Sequence, residues 1–176
     1  MVRSGLVPGV ARSVIYRVQP GDLVNTLFPG ASEFARKPAV LATGILVALC
    51  EWPAMNALRQ VMGDDEDSLG MGVCLAHRAP VCVGARLTLT ARCVSVRGRV
   101  SRWDVCAYEG ARVVACGWVE FAVVRTAAFL ERHKLARAGG PAGRSVGHPS
   151  SQECAQEARG LVAACGAVSP NPIVQT

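Results

Sequence analysis

Residues 38–62, PAVLATGILVALCEWPAMNALRQVM, decide how this chain folds. Ala and Leu dominate the stretch, and Pro38 suits a first helical position. Gly63 and the acidic residues behind it supply a stop, so one long helix is expected here. As far as Cys50 the stretch is apolar almost all round. A helix of that kind is expected to be buried on most of its sides, not along a single stripe. Pro53 removes one backbone donor and is expected to kink it.

Beyond the acidic turn at 63–67 the pattern changes period. Residues 69–79, 85–96, 100–108 and 111–124 read as strands, with Arg86-Leu87-Thr88-Leu89-Thr90-Ala91-Arg92-Cys93 alternating cleanly. Arg97-Gly98-Arg99 and Glu109-Gly110 break the runs as hairpin turns, which makes these strands antiparallel neighbours. Upstream, Ser13-Val14-Ile15-Tyr16-Arg17-Val18 reads as a fifth strand closed by Gln19-Pro20-Gly21-Asp22. Residues 22–37 are irregular, with room for one helical turn, and form a loop able to cover a pocket. One long helix with about five antiparallel strands is α+β, and its simplest packing wraps the sheet around the helix.

The chain has 176 residues, of which 51% are hydrophobic and 18% charged, with mean hydropathy +0.28. That is enough for one domain and excludes disorder along the whole chain. The domain is expected over residues 1–135. Residues 129–137 suggest a short helix, after which residues 136–176 form a flexible Gly/Ala/Ser/Pro-rich tail with some helical pattern near 154–164. No apolar run reaches membrane-spanning length, since Glu51 closes the longest. No membrane partner is therefore expected. Net charge is +6, yet the arginines are scattered and aromatics are few, so no nucleic-acid partner is expected either. Some arginines would suit an anionic ligand such as a phosphorylated cofactor.

The eight cysteines lack paired spacing and read as buried small hydrophobes of a reducing compartment. Cys74, His77 and Cys82 match no common zinc pattern, so no metal is expected. No secretory leader is read at the N-terminus, so a cytoplasmic location is expected. Its acid-free, arginine-bearing start leaves a mitochondrial presequence as the alternative.

Three side chains stand out chemically. Glu51 interrupts an apolar helix, where ionising a carboxylate costs free energy unless it has a partner; it is either a site residue or one that reaches the surface or an arginine. Thr43 lies eight residues earlier, about 80° around and roughly 12 Å along the helix, so the two can border one elongated cleft. The alternative for Thr43 is a hydroxyl bonded to its own backbone. His77 is the one histidine inside the expected core. The glycines of Ser68-Leu69-Gly70-Met71-Gly72 open no helix, which argues against a nucleotide loop, but they can offer backbone N–H groups near His77.

Taken in order, Leu27-Phe28-Pro29, Glu33-Phe34-Ala35, Pro38-Ala39-Val40-Leu41-Ala42-Thr43-Gly44, Glu51-Trp52, Ser68-Leu69-Gly70, Cys74-Leu75-Ala76-His77 and Ser95-Val96-Arg97-Gly98-Arg99 resemble the hotdog-fold thioesterases of the fluoroacetyl-CoA thioesterase type. The resemblance covers roughly residues 6–133. It implies a hotdog fold with Thr43, Glu51 and His77 as the catalytic trio and Gly70 lending a backbone N–H to the thioester carbonyl. Glu51 would be nucleophile or general base, His77 the acid/base partner, and Thr43 the hydroxyl that orients one of them. It further implies an acyl-CoA substrate, no cofactor, and a homodimer or higher hotdog oligomer with sites at the subunit interface. Two positions depart from the fluoroacetyl-specific pattern: Lys37 stands where that enzyme has a phenylalanine gate, and Phe121 where it has an arginine. Both argue against fluoroacetyl selectivity, while Phe34 keeps a covered acyl pocket. The alternatives are a silent hotdog module that binds acyl-CoA or dimerises, and a hydratase of enoyl thioesters. The hydratase lacks the expected Asp and His pairing on the helix.

Overall fold

The computed structural model describes residues 6–137. Five strands are β1 (Ala11–Arg17), β2 (Glu66–His77), β3 (Arg86–Arg97), β4 (Val100–Glu109) and β5 (Arg112–Arg125). They form one antiparallel sheet in the order β1-β3-β4-β5-β2, so β1 and β2 are its edges. Two 3-10 turns (Pro20–Asp22 and Val24–Thr26) and a short helix α1 (Ser32–Ala35) fill the loop after β1. The long helix α2 (Thr43–Arg59) precedes β2, and α3 (Thr126–Arg137) follows β5. The hairpin turns expected between β3 and β4 and between β4 and β5 form at Gly98 and Gly110. Both glycines have positive φ, 61° and 57°, which side-chain-bearing residues rarely adopt.

Alternation sorts the sheet into two faces. Leu87, Leu89 and Ala91 of β3, Trp103, Val105 and Ala107 of β4, and Val119, Phe121 and Val123 of β5 are buried on the face that meets α2. From α2 come Leu46, Leu49, Cys50, Ala54, Ala57 and Leu58, at the i, i+3, i+4 spacing of a single stripe. A fully buried leucine such as Leu46 contributes about 1.5–3 kcal/mol through this contact.

Two expectations about the helix need correction. It begins at Thr43, because Leu41 spends its N–H on Val81 O (2.8 Å) and bridges to Leu23, which holds residues 38–42 out of the helix. It is buried along one stripe and not on most sides: Thr43, Gly44, Ala48 and Trp52 face out of the chain. The helix runs on through Pro53, which is buried.

β2 starts at Glu66, earlier than expected, because Glu66 and Asp67 pair with Arg125 and Val124 and draw the end of the acidic turn into the sheet. The cysteines are not all free, buried thiols. Cys106 and Cys116 lie directly opposite each other on β4 and β5, with Cα atoms 4.2 Å apart, and are joined as a disulfide. Cys82 is exposed in the loop between β2 and β3, whereas Cys50 and Cys93 are buried as free thiols. No helix among the described residues is long and apolar enough to cross a membrane. The expected mobile tail, its helical pattern near 154–164 and Cys154, Cys165 and His148 lie outside the described residues.

Candidate active site

The site residues are set by one packing relationship, α2 running antiparallel along the edge strand β2. That direction puts the start of α2 beside the end of β2, and the middle of α2 beside the start of β2. Two pairs result.

The first pair joins Thr43 and His77. Thr43 Oγ1 lies 3.0 Å from His77 Nδ1, and His77 Nε2 lies 3.1 Å from Ala79 O. A carbonyl oxygen only accepts, so Nε2 carries the proton and Nδ1 of the neutral ring accepts from the threonine hydroxyl. The bond to Ala79 O thereby fixes the tautomer and the ring orientation. Thr43 bonds the histidine and not its own backbone. His77 was expected inside the core; it is half-buried at the end of an edge strand, with no strand beyond β2 among the described residues.

The second pair joins Glu51 and Gly70. A Cβ built on Gly70 would lie 2.9 Å from Glu51 Oε1 and 4.0 Å from Phe121 Cε1, so the carboxylate rests on the bare Cα of the glycine. The strand register sets Phe121 opposite Gly70. Glu51 is half-buried, and its carboxyl pKa is raised by that loss of water. Among the described residues no ion pair holds it, so the arginine-capping reading does not apply. A register shift between Gly70 and Gly72 leaves Met71 as an extra residue, and such bulges re-aim backbone groups.

The remaining sequence-derived residues fall into distinct settings. Phe34, half-buried in α1, packs edge-on against Phe28 with ring centroids 4.8 Å apart. Phe121 is 1% exposed and belongs to the core wall behind Gly70. Lys37 is exposed just after α1, its N–H donating to Phe34 O (3.0 Å), and so stands outside both pairs. Sequence reading missed the carbonyl of Ala79, because a backbone acceptor leaves no mark on residue type. Trp52, next to Glu51 in sequence, turns to the opposite edge of the sheet, where its ring meets Tyr16 of β1 edge-on at 6.2 Å.

Within one chain the two pairs do not converge. Thr43 and Glu51 are separated by about 12 Å of helix, and each pair joins α2 to β2. Met71 and Val73 on this edge strand are solvent-facing apolar residues, 48% and 47% exposed.

Comparison with known proteins gives one consistent picture. A family model described as FlK, fluoroacetyl-CoA-specific thioesterase, matches residues 20–127. The fluoroacetyl-CoA thioesterase of Streptantibioticus cattleyicolor is 34% identical over 128 residues, 73% of this chain and 92% of that protein. A solved structure of the fluoroacetyl-CoA thioesterase FlK superposes with a TM-score of 0.72 at 33% identity, covering 78% of this chain and all of that one. A Thermus thermophilus member of the thioesterase superfamily shares the fold at 20% identity (TM-score 0.68, 77% of this chain and 96% of that one).

Proposed function

Because this chain belongs to the fluoroacetyl-CoA-specific thioesterase family and has its hotdog fold, we propose that it hydrolyses a short- or medium-chain acyl-CoA to the free acid and CoA without selectivity for the fluoroacetyl group. Thioester hydrolysis of acyl-CoA is the activity that family membership carries. The acyl preference and the residue roles are our reading.

The observation that carries it is the carboxylate of Glu51 laid against Gly70. A half-buried carboxylate with a raised pKa is a stronger base than a solvated one, and it sits beside a backbone free of side-chain cover. In this reading Glu51 takes a proton from the water that attacks the thioester carbonyl, or attacks the carbonyl itself to give a mixed anhydride that water then hydrolyses. The carbonyl oxygen, gaining charge, receives the N–H of Gly70. The C–S bond then breaks, the electron pair leaves on the CoA sulfur as thiolate, and a proton returns to it. The proton that returns is the one the attacking water gives up, and the Thr43 hydroxyl, held by its bond to His77 Nδ1, orients the groups between which it moves.

Two such pairs about 12 Å apart on one helix serve one substrate only when a second copy brings its own. We therefore take the protein to be a homodimer, in which Thr43 and His77 of one protomer face Glu51 and Gly70 of its partner. Exposed Met71 and Val73 on the edge strand support that face as the contact. Phe121 in place of an arginine makes the wall behind Gly70 apolar, and Lys37 in place of a phenylalanine leaves the entrance without that ring. Both favour an ordinary aliphatic acyl group over a fluorinated one, with Phe34 and Phe28 covering it.

The test is loss of thioester ultraviolet absorbance over a panel of acyl-CoAs, with Glu51→Gln alongside. Turnover by the wild type and not by the variant supports the reading and names the acyl class. No turnover on any member points to a binding module.

A further inference from the structure

Tyr16 of β1 makes two contacts that lead to the middle and the start of α2. Its ring meets the Trp52 ring edge-on at 6.2 Å, and Trp52 follows Glu51 in the helix. Its hydroxyl donates to Asp22 Oδ2 (2.7 Å), the same oxygen that accepts the N–H of Gln19 (2.7 Å). Partial burial, then the bond to Asp22 and its charge, raise the pKa of the Tyr16 phenol above its ordinary value. The hydroxyl therefore stays protonated and remains a donor.

Asp22, held in this way, ties down the start of α2. Its backbone O accepts the N–H of Ala42 (2.9 Å), the residue before Thr43. Ser, Thr, Asp or Asn commonly caps a helix at this position, but Ala42 has no side chain that can, and its backbone is extended (φ −71°, ψ 139°). Two backbone bonds hold it instead: its N–H to Asp22 O, and its O to the N–H of Leu46 (2.9 Å). Where Ala42 sits decides where Thr43 Oγ1 stands relative to His77 Nδ1, 3.0 Å away.

The fold has other supports at this corner. β1 pairs with β3 along its whole length, and Val18 and Leu23, on either side of the Pro20–Asp22 turn, are buried in the core. The Tyr16 hydroxyl adds one bond to that framework, and the bond bears on the residue that carries Thr43.

We propose that Tyr16 and Asp22 are positioning residues for the reaction, holding Ala42 and through it the bond between Thr43 and His77. This rests on the reading of Thr43 and His77 as residues of thioester hydrolysis.

Three variants test it. Tyr16→Phe removes the hydroxyl and keeps the ring against Trp52, Asp22→Ala removes the acceptor, and Asp22→Asn keeps a carbonyl oxygen in its place. Each is assayed on the acyl-CoA that the wild type turns over best. The Nδ1 resonance of His77 is followed by NMR in protein labelled with 15N-histidine and assigned with His77→Asn. Tyr16→Phe and Asp22→Ala are each expected to lower kcat about 10-fold or more, with KM within about twofold. Both are expected to shift the His77 resonance while far-ultraviolet circular dichroism matches wild type. The double variant is expected to lose no more than either single one, as two groups acting as a unit do, and Asp22→Asn to keep most of the wild-type kcat. An unchanged His77 resonance, or losses that multiply in the double variant, would overturn the proposal alone. No turnover by the wild type, or a shifted resonance at wild-type kcat, would instead overturn the catalytic reading beneath it.

Discussion

Glu51 and Gly70 fix each other's position: a methyl group on the glycine would stand 2.9 Å from Glu51 Oε1, closer than real Cβ atoms come. The carboxylate is the far end of a side chain and can yield, so Gly70→Ala should fold. It should not work. A displacement of about 1 Å at a catalytic group costs on the order of 100-fold in rate, and kcat for Gly70→Ala should fall by that order while its far-ultraviolet circular dichroism matches wild type. Wild-type kcat in a folded Gly70→Ala would remove the contact from the mechanism.

Glu51→Gln tests the same carboxylate by charge. Its removal should lower kcat by roughly 100- to 10,000-fold, the range of general acid–base catalysis. Stability should move the other way. Burial raises the folded-state pKa of Glu51 above its unfolded value, so between the two the native state binds more protons and loses stability as pH rises. The glutamine carries no such cost. Near neutral pH Glu51→Gln should melt at or above the wild-type temperature, and the gain should vanish below about pH 4, where unfolded glutamate is protonated. A lower melting temperature across the whole range would instead mark Glu51 as structural.

Phe121 is fully buried beside Gly70, so its replacement has two readouts. Phe121→Ala should cost about 3–5 kcal/mol, as for other buried rings. Phe121→Leu should cost less than about 1.5 kcal/mol and lengthen the acyl chain preferred in kcat/KM. An unchanged acyl profile in the leucine variant would place the acyl pocket elsewhere.

The sheet was legible from sequence because the β3 and β4 runs alternate without interruption and glycines mark the turns between them. Residues 38–42 misled because their composition suits a helix, while their structure is decided by a partner about 40 residues away: Val81 takes the N–H of Leu41. The Cys106–Cys116 pairing depends on the β4–β5 register, which shifts near Ala107 and Tyr108, and a register shift is invisible in residue types. Thr43, Glu51 and His77 stand out in the sequence as residue types. Their division into two pairs followed only from the direction of α2 against β2.

That division leads to the most discriminating experiment. Glu51→Gln and His77→Asn should each be inactive as pure homodimers, and if a site lay within one chain, mixing them would restore nothing. If instead the site combines Glu51 of one protomer with His77 of its partner, a mixed dimer has one intact site and one doubly damaged one. Random exchange makes half the dimers mixed, so activity should recover to about a quarter of wild type. The recovery should require conditions under which subunits exchange, and it should disappear when Thr43→Val is added to the Glu51→Gln chain, because the intact site then lacks the hydroxyl bonded to His77 Nδ1. Thr43→Ser in the same place should keep it.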